Sequence, residues 1–300
     1  MTVNDTLFSE TPFKPDSIFE VAFLIAALDQ EKNIYGSGTC ISIGSNLVIT
    51  AKHVIEDFFT KYGYEQKEKT ITPNFGIWLI QLTNKPNSKN MIFAIWSCVN
   101  FWFCPYSDIA ILQIQAHNDV AQNKKYLKPC IMTLSPPRVG EKVFGLGFKG
   151  DDLQSSITTV DELGTTHYKL NHKSYTTGGI VTGVYNEQSP TRSKSPCFET
   201  NLRLDGSMSG APIFTEKGRL CGIASSTYPA FEKDEQHTTF ICSLWPLMGT
   251  KIQTPRGTKY SDQEYYVLEL AKSGFINALD WEKVTINPVK DEIYFKNSSF

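Results

Sequence analysis

Short apolar runs separated by turn residues dominate this sequence, and they restrict it to an all-β architecture. Residues 39–50 (TCISIGSNLVIT) alternate, pass through Gly44-Ser45-Asn46 and resume as a second apolar run, which is the pattern of a hairpin. Further strand-length runs lie at 76–82, 91–99, 109–114, 142–148, 178–185, 197–204, 211–215 and 219–225. Many short strands with turns between them predict barrels or sandwiches rather than βαβ units. A polar stretch at 116–129, followed by Pro136-Pro137, divides two strand-rich halves and predicts a linker. Residues 186–196 (NEQSPTRSKSP) read as an exposed loop. Residues 261–279 place apolar side chains at helical spacing after a Ser/Asp start, which predicts a C-terminal helix. No internal repeat is visible.

Composition excludes several classes of function. The net charge of −2 gives no electrostatic reason for a nucleic-acid partner. No run reaches the ~20 apolar residues that cross a bilayer. The most apolar, Val21 to Leu28, is too short, so no membrane partner is expected. The residues before it carry Glu10, Asp16 and Glu20 against Lys14, the reverse of a secretion signal, so the expected location is cytoplasmic. Seven cysteines at irregular spacing, Cys40, Cys98, Cys104, Cys130, Cys197, Cys221 and Cys242, read as buried reduced thiols rather than a disulfide framework. Gly145, Gly147 and Gly150 spell G-x-G-x-x-G, but no amphipathic helix follows them, so no dinucleotide cofactor is expected. His167 and His172 have no Cys or paired carboxylate at ligand spacing, so no metal is expected either.

Three segments carry chemistry when taken together. Thr50-Ala51-Lys52-His53-Val54 puts a histidine at the end of the hairpin. Ser107-Asp108-Ile109-Ala110-Ile111-Leu112 opens a strand on an aspartate. Leu204-Asp205-Gly206-Ser207-Met208-Ser209-Gly210-Ala211-Pro212-Ile213 flanks Ser209 with small residues between two strands. Such a tight turn lifts a serine hydroxyl clear of the surface and aims backbone N–H groups at one point. Serine is a weak nucleophile at neutral pH and needs an adjacent base. Neutral histidine suits that role, and a carboxylate fixes its tautomer. The chain order His, Asp, Ser differs from that of α/β-hydrolases and subtilisin-like enzymes.

These segments resemble the chymotrypsin/trypsin-like serine peptidases, and among them the bacterial Deg/HtrA-type peptidase domains. TAKHV at 50–54, SDIAILQI at 107–114 and GSMSGAPIF at 206–214 resemble the three core motifs. GSGTCISIGSNLVIT at 36–50, VFGLGF at 143–148, TTGGIVTGV at 176–184 and GRLCGIASS at 218–226 resemble supporting ones, and the likeness covers roughly 18–245. It implies an all-β fold of two packed six-stranded antiparallel β-barrels with a short C-terminal helix. The expected divisions are an N-terminal segment 1–17, a first barrel 18–125, a second barrel 126–250 and a C-terminal extension 251–300. The resemblance makes Ser209 the nucleophile, His53 the general base and acid, and Asp108 the orienting carboxylate, with an oxyanion hole from the Ser207 and Ser209 backbone N–H groups. Residues Ile223, Ala224, Ser225, Ser226 and Thr227 would line the primary specificity pocket and pair with substrate backbone. Arg203 lies near the floor of that pocket. Two readings of it stand: a preference for an acidic side chain at the cleavage site, or a side chain pointing away on an alternating strand.

The departures from the family pattern are specific. Ser207 stands where the family usually has glycine, which opens the reading of a hole that stays collapsed until substrate or a partner binds. Met208 replaces the aspartate that pairs with a new N-terminus in secreted trypsins, and no Ile-Val-Gly-Gly sequence occurs, so activation by N-terminal cleavage is not expected. The disulfide beside the histidine cannot form, because Val54 stands opposite Cys40. About 50 residues follow the second barrel, too few for a PDZ domain, so the trimer-forming and chaperone roles of that subgroup are not carried over. The expected function is an intracellular serine endopeptidase acting on a protein or peptide substrate. The competing readings are a latent peptidase awaiting an activating protein partner and a catalytically silent peptide-binding module on the same fold.

Overall fold

The computed structural model describes residues 7–10, 18–28, 34–44, 46–62, 76–84, 91–124, 127–150, 156–160, 166–170, 172–188, 196–228, 237–253 and 263–296. Two closed antiparallel barrels of six strands each pack together. The first comprises β1 (Ala22–Leu28), β2 (Ile34–Gly44), β3 (Leu47–Ala51), β4 (Gly76–Asn84), β5 (Met91–Phe103) and β6 (Ile109–Ala116). Its strands run in the order β1-β2-β3-β6-β5-β4, and β4 pairs back to β1. The second comprises β7 (Lys142–Gly150), β8 (His172–Gln188), β9 (Pro196–Thr200), β10 (Pro212–Thr215), β11 (Leu220–Tyr228) and β12 (Thr238–Ser243). Its order is β7-β8-β9-β12-β11-β10, closed by β10 against β7. The two orders correspond strand for strand. One topology is therefore used twice, although the sequence shows no repeat.

Local chemistry explains the hairpin. Asn46 takes a left-handed conformation (φ 57) between β2 and β3, which asparagine tolerates better than most residues. Every residue of β3 is buried. Strand β1 is buried on both faces. Phe23, Ile25 and Ala27 join the interior of the first barrel. Ala22, Leu24 and Ala26 pack with Trp78 and with Leu146 and Phe148 of β7. That second cluster joins the two barrels.

The chain outside the barrels departs from expectation in three places. Helix α1 (Lys52–Tyr62) follows β3 directly. The 116–129 stretch holds a short helical turn, Asp119–Gln122, whose first turn is capped by the Asn118 side chain accepting the Ala121 N–H. The C-terminal helix α2 spans only Val267–Lys272, not 261–279. Gly274 at φ 75 ends it, and the Phe275 N–H returns to the Leu270 carbonyl. The chain then forms strand Ala278–Leu279, which pairs in parallel with Met132–Thr133, and a terminal hairpin, Val284–Asn287 with Glu292–Phe295. The predicted loop at 186–196 lies mostly outside the described residues. All seven cysteines are free; six are buried and Cys130 is partly buried. Among the described residues no helix is long and apolar enough to cross a membrane.

Candidate active site

His53 stands in the first turn of α1, where β3 delivers it to the edge of the first barrel. Asp108 immediately precedes β6, the neighbour of β3 in the sheet. The carboxylate grips the histidine twice. Its Oδ1 accepts the His53 backbone N–H at 3.0 Å, and its Oδ2 meets ring Nδ1 at 2.7 Å. A carboxylate oxygen can only accept, so Nδ1 carries the proton and Nε2 is left as the basic nitrogen. Ser225 Oγ donates to the same Oδ2 at 2.5 Å. This bond joins the two barrels, because Ser225 lies on β11.

Burial and pairing pull against each other at both groups. Burial lowers the His53 pKa, but the Asp108 hydrogen bond and charge outweigh it and hold the imidazole above its ordinary value. Burial raises the Asp108 pKa, but the His53 ring, the Ser225 hydroxyl and the His53 N–H together hold it below the usual value. The pair is set to keep an ionised carboxylate beside an imidazole that can take a second proton.

Ser209 is presented by a turn that both barrels clamp. Its carbonyl accepts the Thr39 N–H of β2 at 2.9 Å. Gly210 has φ 80, and a Cβ there would lie 2.2 Å from both the Thr39 oxygen and Thr50 Oγ1. Only glycine permits that conformation and that approach. On the other side Met208 is fully buried in the second barrel's core. It fills the space over Gly147, where a Cβ would come within 2.5 Å of its Cε. An apolar plug therefore anchors the serine turn from below. Gly147 and Gly145 sit inside strand β7, where they make room for Met208 and Ile213, so the glycine pattern serves packing.

The backbone before Ser209 coils into a 3-10 turn over Gly206–Met208, with the Met208 N–H bonded to the Asp205 carbonyl at 2.8 Å. The Gly206 carbonyl oxygen lies 3.4 Å from Ser209 Oγ and accepts its hydroxyl. Carbonyl and N–H of one planar trans peptide point in opposite directions. The Ser207 N–H is thus turned away from Ser209, and the expected pair of oxyanion donors does not converge in this conformation.

A cavity of about 610 Å³ opens beside Ser209. Ala224, Ser225, Ser226, Thr227 and Arg203 are among the residues that line it. Ile223 is not among the lining residues: it is fully buried in the cluster that holds the first barrel's core. A register irregularity between Ala224 and Ser226 breaks the strand's alternation beside the cavity. Pairing of β11 with β10 ends at Ile223, so among the described residues Ser226 and Thr227 pair with a strand on one side only. Three cavity residues, Lys149, Asp205 and His237, have no signal in the sequence. They come from β7, the serine turn and the start of β12, and only the barrel closure brings them together. Among the described residues no His, Cys, Asp and Glu cluster could hold a metal. The side chains of His167 and His172 lie outside the described set.

A family model for the trypsin-like peptidase domain matches residues 36–223. Among solved structures the chain is similar to the crystal structure of Deg5, with a TM-score of 0.46 and 16% identity over 76% of this chain and 85% of that one. It is also similar to the MamO protease domain from Magnetospirillum magneticum in its apo form, with a TM-score of 0.44 and 14% identity over 76% of this chain and 94% of that one. No curated protein matches it.

Proposed function

The chain belongs to the trypsin-like peptidase domain family, and from that premise we propose that it is a serine endopeptidase with Ser209, His53 and Asp108 as its catalytic triad. The observation that carries this reading is the doubly bonded His53–Asp108 pair, which leaves Nε2 as the basic nitrogen. His53 Nε2 removes the hydroxyl proton as Ser209 Oγ attacks the substrate carbonyl. Asp108 stabilises the imidazolium that forms. The imidazolium then gives its proton to the departing amine as the C–N bond breaks, leaving an acyl-enzyme. Water, deprotonated by the same nitrogen, releases the acyl group and restores Ser209. The open side of β11 at Ser226 and Thr227 suits an extended substrate added as a strand. The chemistry requires no cofactor, and the substrate is a protein or peptide. The proposed setting is the cytoplasm.

A second reading is supported by one observation. The Gly206 carbonyl occupies the side of Ser209 where the Ser207 N–H is wanted. A peptidase in that conformation is latent, and substrate or a protein partner activates it by reversing the Gly206–Ser207 peptide. The test for both is cleavage of unfolded protein by the purified chain, with and without cell extract, beside Ser209→Ala. Ser209-dependent cleavage without extract supports the self-sufficient enzyme, and cleavage only with extract supports the latent one. Equal cleavage by Ser209→Ala rejects the triad assignment.

A further inference from the structure

Among the described residues that line the cavity beside Ser209, Lys149 and Arg203 stand against one carboxylate, Asp205. Lys149 Nζ meets Asp205 Oδ2 at 2.5 Å, and Arg203 Nε lies 3.8 Å from Oδ1. Two cations share one carboxylate, so one positive charge stays uncompensated among the described lining residues.

Both cations are also held in place by aromatic rings. Arg203 Cζ lies 4.6 Å from the centre of the Phe8 ring. Phe8 stacks on Tyr175 at 5.0 Å with 13° between the planes, and Lys149 Nζ lies 5.9 Å from the Tyr175 ring. Phe8 belongs to the N-terminal strand Leu7–Glu10, which pairs with β8. A guanidinium and an ammonium are thereby fixed at the cavity before any ligand arrives.

The chemistry of a fitting side chain follows. A lysine or arginine would meet two like charges, with Asp205 already engaged by both. An apolar side chain would strip water from two cations. A carboxylate would supply the missing negative charge and accept charge-assisted hydrogen bonds from the fixed cations. We propose that this cavity recognises a glutamate or aspartate side chain on the acyl side of the cleaved bond, with Arg203 and Lys149 as its charge partners. This rests on the serine-peptidase reading for its place in a reaction, but not for its binding chemistry.

The test separates the two. Matched peptides differing only at that residue (Glu, Gln, Lys or Leu) are titrated against the full Ser209→Ala chain, so that no turnover is needed. The Glu peptide is expected to bind about tenfold or more tightly than the Gln peptide, the gain typical of a charge-assisted bond. The advantage shrinks as salt rises. Arg203→Gln and Lys149→Gln, made separately in the same background, each remove most of it. Equal binding of Glu and Gln, or binding of neither, overturns the proposal. In parallel, the unmodified chain cuts a complex peptide mixture and the cut sites are mapped by mass spectrometry. Ser209-dependent cuts after Glu and Asp support the proposal. Ser209-dependent cuts mainly after other residues overturn it and leave the peptidase reading intact. An absence of Ser209-dependent cuts both with and without cell extract counts against the peptidase reading, and the titration still decides the pocket.

Discussion

Asp108 holds His53 at two points, with one carboxylate oxygen on the backbone N–H and the other on ring Nδ1. The first bond sets where the histidine sits at the start of α1. The second sets which ring nitrogen is basic. A single residue thus fixes both the position and the tautomer of the proposed base.

A pH profile follows from this pair. The base must be neutral to accept the Ser209 proton, and Asp108 holds the imidazole above its ordinary 6.5. kcat/KM is therefore expected to rise with pH through a midpoint above 6.5. In Asp108→Asn the largest raising influence is gone and only the charges of Asp57 and Glu56 still oppose burial, so the midpoint moves down. The asparagine also favours the wrong tautomer, and kcat falls by about 10⁴-fold. Stopped assays across pH on both proteins check the midpoint and the plateau.

Ser207→Gly tests the turned peptide. Glycine frees the backbone at the residue whose N–H must face the oxyanion. One such donor is worth about 10²–10³ in kcat, which bounds the gain. The variant is expected to raise kcat of the isolated chain and to leave KM nearly unchanged. Steady-state kinetics with and without cell extract would show the wild type approaching the variant only when extract is present.

Met208 and Gly147 form a size-matched contact under the serine turn. Met208→Leu keeps the volume and is expected to cost less than about 1.5 kcal/mol. Met208→Asp places a carboxylate in the cluster of Val143, Leu202 and Ile213. A buried ion carries a penalty of several kcal/mol, so this variant should lose both stability and activity. Urea unfolding of the two variants gives the comparison.

The constraint on Gly210 is tighter. Alanine there must adopt φ 80 and push against the Thr39 oxygen and Thr50 Oγ1. The left-handed conformation costs about 1–2 kcal/mol and the overlap about 1–3 more. Gly210→Ala is expected to lower the unfolding midpoint and to release the serine turn from β2. Gly218, with φ 69 and open space around it, is the control, since Gly218→Ala carries only the conformational cost.

The parts of the site that sequence reading could reach are those with local signatures. His53, Asp108 and Ser209 each lie in a short segment with small or apolar neighbours, so order and context mark them as candidates. Strands β1 and β12 were not legible as strands. Both are buried almost throughout and lack the alternation that marks a half-buried strand. The helix expected over 261–279 was overextended, because Gly274 stops it and the following apolar residues pack back onto the core. Lys149 and His237 carry no local signal. Barrel closure alone sets them beside Arg203 and Asp205, and that relationship is a property of topology.

Mapping the adduct of a fluorophosphonate probe on the folded chain decides whether Ser209 is an activated nucleophile. A single modified residue, Ser209, is expected, with labelling lost in Ser209→Ala and strongly slowed in His53→Ala. A folded chain that stays unmodified at Ser209, both alone and with cell extract, or that is modified equally in Ser209→Ala, would contradict the triad assignment.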